Sequence, residues 1–306
     1  LVTLPFLLLL LDYWPLGRLR MRQNLPKEQP VSIPAATVLR LIAEKMPMIV
    51  ISVAANIITF IAQKQHAEMP TLEVYSLSAR IGNAIVSYVL YMVKMIWPTG
   101  MAVYYPHPGE WPLWIVLGPL AVLIALSLAA VEAIRRHPYV FTGWCWYLGT
   151  LVPVIGLVQL SEFSMADRYT YVPLVGLFII GVWGVPELLK GWRYRAAILS
   201  VLSASGLAAM MAVTSIQAGY WRNSLTLFEH AVAVTNNNIA ALNNLGRALM
   251  EAGKIDEAIG CFSEAVKIEP GFFFAWNNLG IAYYRKGDLP KALQSFNQVL
   301  SLDPSF

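Results

Sequence analysis

The segment 161–173 carries the residues best suited to chemistry. Glu162, Asp167, Arg168 and Tyr169 lie within eight consecutive positions. An arginine can bind a phosphate through two parallel hydrogen bonds. A neighbouring carboxylate such as Asp167 could orient that arginine or contact sugar hydroxyls. The residue types therefore suggest a phosphate or sugar site, and the alternative is a local Asp167–Arg168 ion pair beside tyrosines at a membrane interface.

A second candidate segment, 97–111, presents Tyr105 and His107. His107 lies between Pro106 and Pro108, which restrict the backbone and hold the imidazole in a defined position. It could contact a lipid head group or a sugar, and the alternative is a proline-braced loop with interfacial aromatics. The sequence contains no metal-ligand cluster, nucleophile motif or glycine-rich phosphate loop. We therefore predict no cofactor and no metal site.

The composition is that of a membrane protein. Hydrophobic residues make up 57% of the 306 residues, charged residues 13%, and the mean hydropathy is +0.56. Soluble domains usually carry about 25% charged residues, so most of this chain must contact lipid or a buried helix bundle. The net charge is +4, but no basic stripe interleaved with aromatics accompanies it, so we predict membrane lipid and no nucleic acid as a partner.

Residues 1–217 form the predicted transmembrane domain. A spanning helix needs about 20 mostly apolar residues. A further apolar stretch, 76–97, carries Arg80 and Lys94, which are costly at the centre of a bilayer. The predicted spans lie near 1–16, 46–63, 112–131, 141–160, 171–188 and 196–214.

Charge in the connecting segments predicts their sides of the membrane, because cytoplasmic loops are rich in Lys and Arg. The segments 17–45, 132–140 and 187–195 together hold eleven basic and four acidic residues, whereas 64–75, 98–111 and 161–170 hold two basic and five acidic. The first set is predicted to be cytoplasmic and the second to lie on the opposite side. The stretch 76–97 then has to be interfacial or re-entrant. The alternative is an ordinary span whose charged side chains reach the interface.

Residues 218–306 contain an internal repeat of 34 positions. The run 243–246 recurs at 277–280, and this period is typical of tetratricopeptide repeats, which are helical hairpins that stack into a solenoid and bind peptides or partner helices. We predict repeats over 239–272 and 273–306, preceded by a partial unit over 222–235 whose first helix falls inside the last membrane segment. The predicted structural positions are Leu245, Gly246, Ala258, Phe262, Ala265, Pro270, Trp276, Leu279, Gly280, Tyr283, Ala292, Phe296 and Pro304. The predicted fold class is therefore all-α, a polytopic transmembrane helix bundle followed by a tetratricopeptide solenoid.

Four motifs resemble transmembrane and tetratricopeptide-repeat-containing proteins of the protein O-mannosyltransferase type, in a bacterial form. They lie at 165–176, 10–16, 104–108 and 146–153. The resemblance implies a C-type glycosyltransferase fold that transfers a sugar from a polyprenyl-phosphate donor to a protein hydroxyl. It implies Arg168 as a ligand of the donor phosphate with Asp167 as its support.

The same resemblance implies a catalytic acidic residue in a loop after the first helix of the family. That loop is expected upstream of Leu1, in an N-terminally truncated chain. The predicted setting is a bacterial inner membrane with the repeats on the non-cytoplasmic side, where they bind the acceptor polypeptide or a partner. The alternative is a non-enzymatic membrane-anchored repeat scaffold for envelope assembly or polysaccharide export.

Overall fold

The computed structural model describes residues 3–18, 35–66, 75–157 and 163–304. These parts contain twelve α-helices, a 3₁₀ turn and one pair of short strands. The chain forms two compact units. The first comprises 1–95, 108–162 and 168–199, and the second comprises 96–107, 163–167 and 200–306.

The first unit is built from six apolar helices. Proline lies in the first turn of α1, α5 and α6, where its missing N–H has no helical partner to lose, and also inside α2, α4 and α6. The helix α7 (Arg195–Tyr220) then continues from the first unit into the second. The six helices are α1 (Leu4–Tyr13), α2 (Ala35–His66), α3 (Leu77–Ile96), α4 (Leu113–Ala133), α5 (Pro138–Leu151) and α6 (Pro173–Leu188).

Four helices are long and apolar enough to cross a membrane. The qualifying stretches are 35–59, 77–96, 113–133 and 195–220. One of them is α3, a single uninterrupted helix that buries Arg80, Asn83 and Ser87, and its interfacial position stays a prediction. The helix predicted over 141–160 is shorter than expected. It ends at Leu151, because Pro153 has no amide hydrogen to continue the helical bonding.

Side-chain contacts join the helix ends that flank the segments 17–45, 132–140 and 187–195, which are rich in basic residues. Arg18 bonds to Asp12 at 2.9 Å and to Glu44 at 2.8 Å. The Tyr13 hydroxyl donates to the carbonyl oxygen of Ile134 at 2.6 Å, and the Tyr139 hydroxyl donates to Glu187 at 2.6 Å. The helix ends next to 17–45, 132–140 and 187–195 therefore lie at one end of the first unit.

The second unit contains the predicted repeats. Two hairpins, α9 with α10 and α11 with α12, follow α8 and stack in chain order. Their core contains Phe262, Ala265 and Leu279 from the predicted positions. It also contains residues that were not predicted, among them Leu242, Leu249 and Met250. The tetratricopeptide fold is thus confirmed. The helices are α8 (Ser224–Val234), α9 (Ile239–Glu251), α10 (Ile255–Ile268), α11 (Phe273–Lys286) and α12 (Leu289–Leu302).

Glycine has two different uses in these hairpins. Gly253 and Gly287 end the first helix of each hairpin with φ of +78° and +87°, a conformation that side chains with a Cβ rarely adopt. Gly246 and Gly280 instead admit an aromatic ring. A Cβ at Gly280 would lie 2.6 Å from the Phe296 ring, so only glycine leaves room for it.

The apolar face of the second helix differs between the two repeats. In α10, Ile259 packs against the core of the repeats. Its equivalent 34 positions later, Leu293 in α12, is 62% exposed. An aliphatic side chain at the same repeat position therefore has a different energetic role in each repeat.

We expect Ile259→Glu to lower the free energy of unfolding of the repeats by about 2–4 kcal/mol, since it buries a charge at an apolar contact. Leu293→Glu should change it by less than about 0.5 kcal/mol, as is usual for an exposed site. Urea unfolding followed by amide exchange of α9 to α12 measures both. Equal effects of the two substitutions would contradict this assignment of the packed face.

Candidate functional site

The two candidate segments meet as a pair of strands in the second unit. We call residues 96–107 the first site segment and residues 163–167 the second site segment. In them β1 (Tyr105–Pro106) pairs antiparallel with β2 (Phe163–Met165), with Tyr105 opposite Met165. The pairing brings together residues about 60 positions apart in the chain.

Tyr105 orients Asp167. The phenol hydroxyl donates to the Asp167 carboxylate with an O···O distance of 2.6 Å. The same oxygen accepts the backbone N–H of Ala102 at 2.7 Å. Because the phenol is held on both sides, the carboxylate has a defined position. Tyr105 therefore acts on Asp167 through a hydrogen bond, a role that the sequence did not indicate.

Two further contacts hold the strands in register. The rings of Tyr104 and Phe163 stack with centroids 4.5 Å apart and planes 19° apart. The Ser164 hydroxyl donates to the carbonyl oxygen of Tyr105 at 3.2 Å. Aromatic stacking of this kind adds about 0.5–1.5 kcal/mol beyond the area it buries. The backbone around Tyr105 and Asp167 is thus braced on either side.

Arg168 and Tyr169 belong to the first unit and to the 3₁₀ turn Asp167–Thr170. Arg168 is exposed, and its guanidinium carbon lies 5.2 Å from the centroid of the Tyr169 ring. A cation stacked on a ring keeps its outward hydrogen-bond donors free. Within the part of the chain that the structure describes, Arg168 forms no ion pair. This arrangement suits the binding of an anion from solvent or from a lipid head group.

Two predicted site residues remain, His107 and Glu162, and the structure describes the first of them. His107 follows β1 directly and is half-buried. Glu162 lies outside the described residues. Across the described ranges, no group of three or more His, Cys, Asp or Glu is arranged to hold a metal ion.

Asn238 was missed by the sequence reasoning. Its amide nitrogen donates to the carbonyl oxygen of Tyr104 at 2.9 Å, within the second unit. A signal did exist, since Asn238 directly precedes a helix, where asparagine is a common N-terminal cap. That signal predicts a cap and not a contact with a distant loop.

Comparison with known proteins supports the repeats most directly. Residues 243–305 match the family model of the tetratricopeptide repeat. The crystal structure of YrrB, a TPR protein with an unusual peptide-binding site, aligns with 20% sequence identity. It covers 58% of this chain and 93% of that chain, with a TM-score of 0.30.

Curated relatives are protein O-mannosyl-transferases of animals. Tmtc2 of Drosophila melanogaster is 29% identical over 134 residues, which is 43% of this chain and 14% of that protein. TMTC1 of Mus musculus is 29% identical over 145 residues, which is 46% of this chain and 15% of that protein. The matches thus span about a seventh of the length of these relatives. This chain carries a tetratricopeptide repeat region and is distantly similar, over less than half of its length, to protein O-mannosyl-transferases.

Proposed function

We propose that this chain is part of an integral-membrane glycosyltransferase-like protein that transfers a sugar from a polyprenyl-phosphate donor to protein hydroxyls. The observation that carries the proposal is Arg168, an exposed guanidinium without an ion-pair partner in the described residues, directly after the oriented carboxylate of Asp167. The similarity to protein O-mannosyl-transferases supports the same reaction class.

The proposed chemistry is a displacement at the anomeric carbon of the sugar. An acceptor hydroxyl forms the new C–O bond and gives its proton to the catalytic carboxylate that the family resemblance implies. The bond from the sugar to the lipid phosphate breaks, and the phosphate leaves with its electron pair. Negative charge grows on the phosphate as the bond breaks, so a cation placed at that oxygen stabilises the transition state more than the ground state. Arg168 supplies this cation in the proposal, and Asp167 supports the turn that carries it.

We expect Arg168→Ala to weaken binding of a polyprenyl phosphate by roughly tenfold to a hundredfold, the effect of losing charge-assisted hydrogen bonds. Arg168→Lys should restore part of it, since lysine keeps the charge but not the planar pair of donors. The measurement is titration of a short-chain polyprenyl phosphate into the detergent-solubilised chain.

Arg193 provides a matched control for this substitution. It is also exposed, and its guanidinium carbon lies 5.8 Å from the ring centroid of the adjacent Tyr194. Arg193→Ala should leave phosphate binding within about twofold of the original, since only non-specific charge is lost. If the two alanine variants bind equally well, Arg168 is not a phosphate ligand. The non-enzymatic repeat scaffold then becomes the better proposal.

The proposed setting is a bacterial inner membrane with the repeats on the non-cytoplasmic side. The support is the excess of basic residues in the segments 17–45, 132–140 and 187–195. In this arrangement the repeats bind the acceptor polypeptide on the side where the donor head group lies. We expect an epitope tag fused after Phe306 to be digested by protease added outside spheroplasts. If the tag is digested only after the cells are lysed, the predicted orientation is wrong and the repeats lie on the cytoplasmic side.

A further inference from the structure

The first repeat helix, α8, has an unusual neighbour. The sequence predicted that its hairpin partner is the end of the last membrane helix. The end of α7 meets α8 where the Tyr220 ring stacks on the His230 ring with centroids 3.6 Å apart, and α8 also packs against α9. The buried face of α8 at Ala231 is fully covered, and it shares a small apolar cluster with Ala241 and with Ala102 of the first site segment.

The first site segment therefore covers α8 at Ala231. Helical repeats expose an apolar face at the end of a stack, and that face needs a cap. Ala102 is 8% exposed, and Tyr105 packs against the same cluster. The small side chains of Ala102, Ala231 and Ala241 let the backbone of the segment approach the two helices closely.

Asn238 links the repeats to this segment by hydrogen bonds. It is 3% exposed. Its side-chain oxygen accepts the N–H of Ala241 at 2.9 Å and caps α9, while its amide nitrogen donates to Thr235 Oγ1 and to the carbonyl oxygen of Tyr104, both at 2.9 Å. The buried Asn238 side chain thus caps α9 and also bonds to Tyr104, which is 134 positions away in the chain.

Other helix caps in the described repeats do not have this second contact. The Asn223 side chain accepts the N–H and the hydroxyl of Thr226, three positions away. The Asp288 side chain accepts the N–H of Lys291 and pairs with its ammonium group. Capping alone therefore explains Asn223 and Asp288 but leaves the donation from Asn238 to Tyr104 unexplained.

We propose that the first site segment is the N-terminal cap of the repeat array and that Asn238 is a positioning residue that holds Tyr105, and through it Asp167, in place. The link is short. Asn238 holds the Tyr104 carbonyl, the next residue is Tyr105, and its hydroxyl bonds to the Asp167 carboxylate. The significance for sugar transfer rests on the proposed function, while the structural link does not.

Asn238→Asp separates the two roles of the side chain. Aspartate caps a helix as well as asparagine does, so α9 keeps its cap. The carboxylate has no N–H group, so the hydrogen bonds that Asn238 donates to the Tyr104 carbonyl oxygen and to Thr235 Oγ1 are both lost. Asn223→Asp is the matched control, because it makes the same chemical change at a cap without contact to the site segment.

Hydrogen exchange of the chain in lipid nanodiscs tests the link. In Asn238→Asp, peptides covering 100–107 should exchange about three- to tenfold faster, the effect of one lost hydrogen bond, while peptides of α11 and α12 stay unchanged. Asn223→Asp should leave 100–107 unchanged. Unchanged exchange of 100–107 in Asn238→Asp would overturn the proposal.

A second variant tests the same contact by changing the first site segment instead of the repeats. Ala102→Glu puts a charge against Ala231 and Ala241 without altering any repeat residue, so it should also raise exchange of 100–107 and expose the N-terminal turn of α9. Unchanged exchange of α9 in this variant would show that the segment is not a cap.

Binding of polyprenyl phosphate by the same variants separates the two proposals. Faster exchange of 100–107 together with weaker binding supports both of them. Faster exchange together with unchanged binding supports the role of Asn238 and counts against Asp167 as support for the donor site.

Discussion

Replacing Gly143 or Gly176 by alanine is expected to cost about 3 kcal/mol of the free energy of unfolding, at the upper end for inserting a methyl group into a packed core. Gly143 lies on α5 and Gly176 on α6. A Cβ built on either one falls against the carbonyl oxygen of the other, far inside van der Waals contact. A carbonyl oxygen belongs to the helix backbone and cannot rotate away, so the two helices would have to separate.

The matched control is Gly181→Ala, on the same helix α6, where an added Cβ meets nothing within 4 Å. This variant should be unchanged or slightly more stable, since alanine favours a helix by about 1 kcal/mol over glycine. Titration with a denaturing detergent, followed by tryptophan fluorescence, measures all three variants. If Gly143→Ala unfolds at the same detergent fraction as Gly181→Ala, the close approach of α5 and α6 is not needed for stability.

The second large effect is expected at the buried ion pair between Asp12 of α1 and Lys45 of α2. Asp12 is 2% exposed and Lys45 is 6% exposed, and the Lys45 ammonium donates to the Asp12 carboxylate. Removing one member leaves the other with a second partner only, since Asp12 keeps Arg18 at 2.9 Å and Lys45 keeps Glu44 at 3.4 Å. We therefore expect Asp12→Ala and Lys45→Met each to destabilise the bundle by about 1.5–3 kcal/mol, the effect of losing a hydrogen bond between charged groups.

The double variant Asp12→Leu with Lys45→Met should recover most of this loss, because no charge remains buried. Arg40→Ala is the control. Its pair with Glu44 is 3.6 Å long, and the Arg40 side chain is 80% exposed, so the change should stay within about 1 kcal/mol. If the double variant is as unstable as the single variants, the ion pair itself stabilises the packing of α1 against α2.

Local patterns in the sequence were sufficient to predict the repeats. Gly246 and Gly280 are 34 positions apart, as are Phe262 and Phe296, and each glycine meets the phenylalanine 16 positions later in its own hairpin. Because these contacts lie within one hairpin, spacing alone predicts them. The apolar helices were predictable for the same reason, since length and composition decide whether a helix can cross a membrane.

The site could be predicted only in part. The residue types at Asp167 and Arg168 suggested phosphate or sugar chemistry, and that role stays a prediction. The bond from Tyr105 to Asp167 spans 62 positions and the bond from Asn238 to Tyr104 spans 134. No periodicity connects residues so far apart, because their proximity depends on how the helices pack.

By itself the sequence determined the all-α class, the apolar helices and the 34-residue hairpins, since helix formation and hairpin packing depend on neighbours a few positions away. Only the tertiary structure decided that Gly143 meets Gly176 and that Tyr105 and Asp167 share a hydrogen bond. Contacts of this second kind form when whole helices and strands come together, and many different long-range arrangements satisfy the same local pattern.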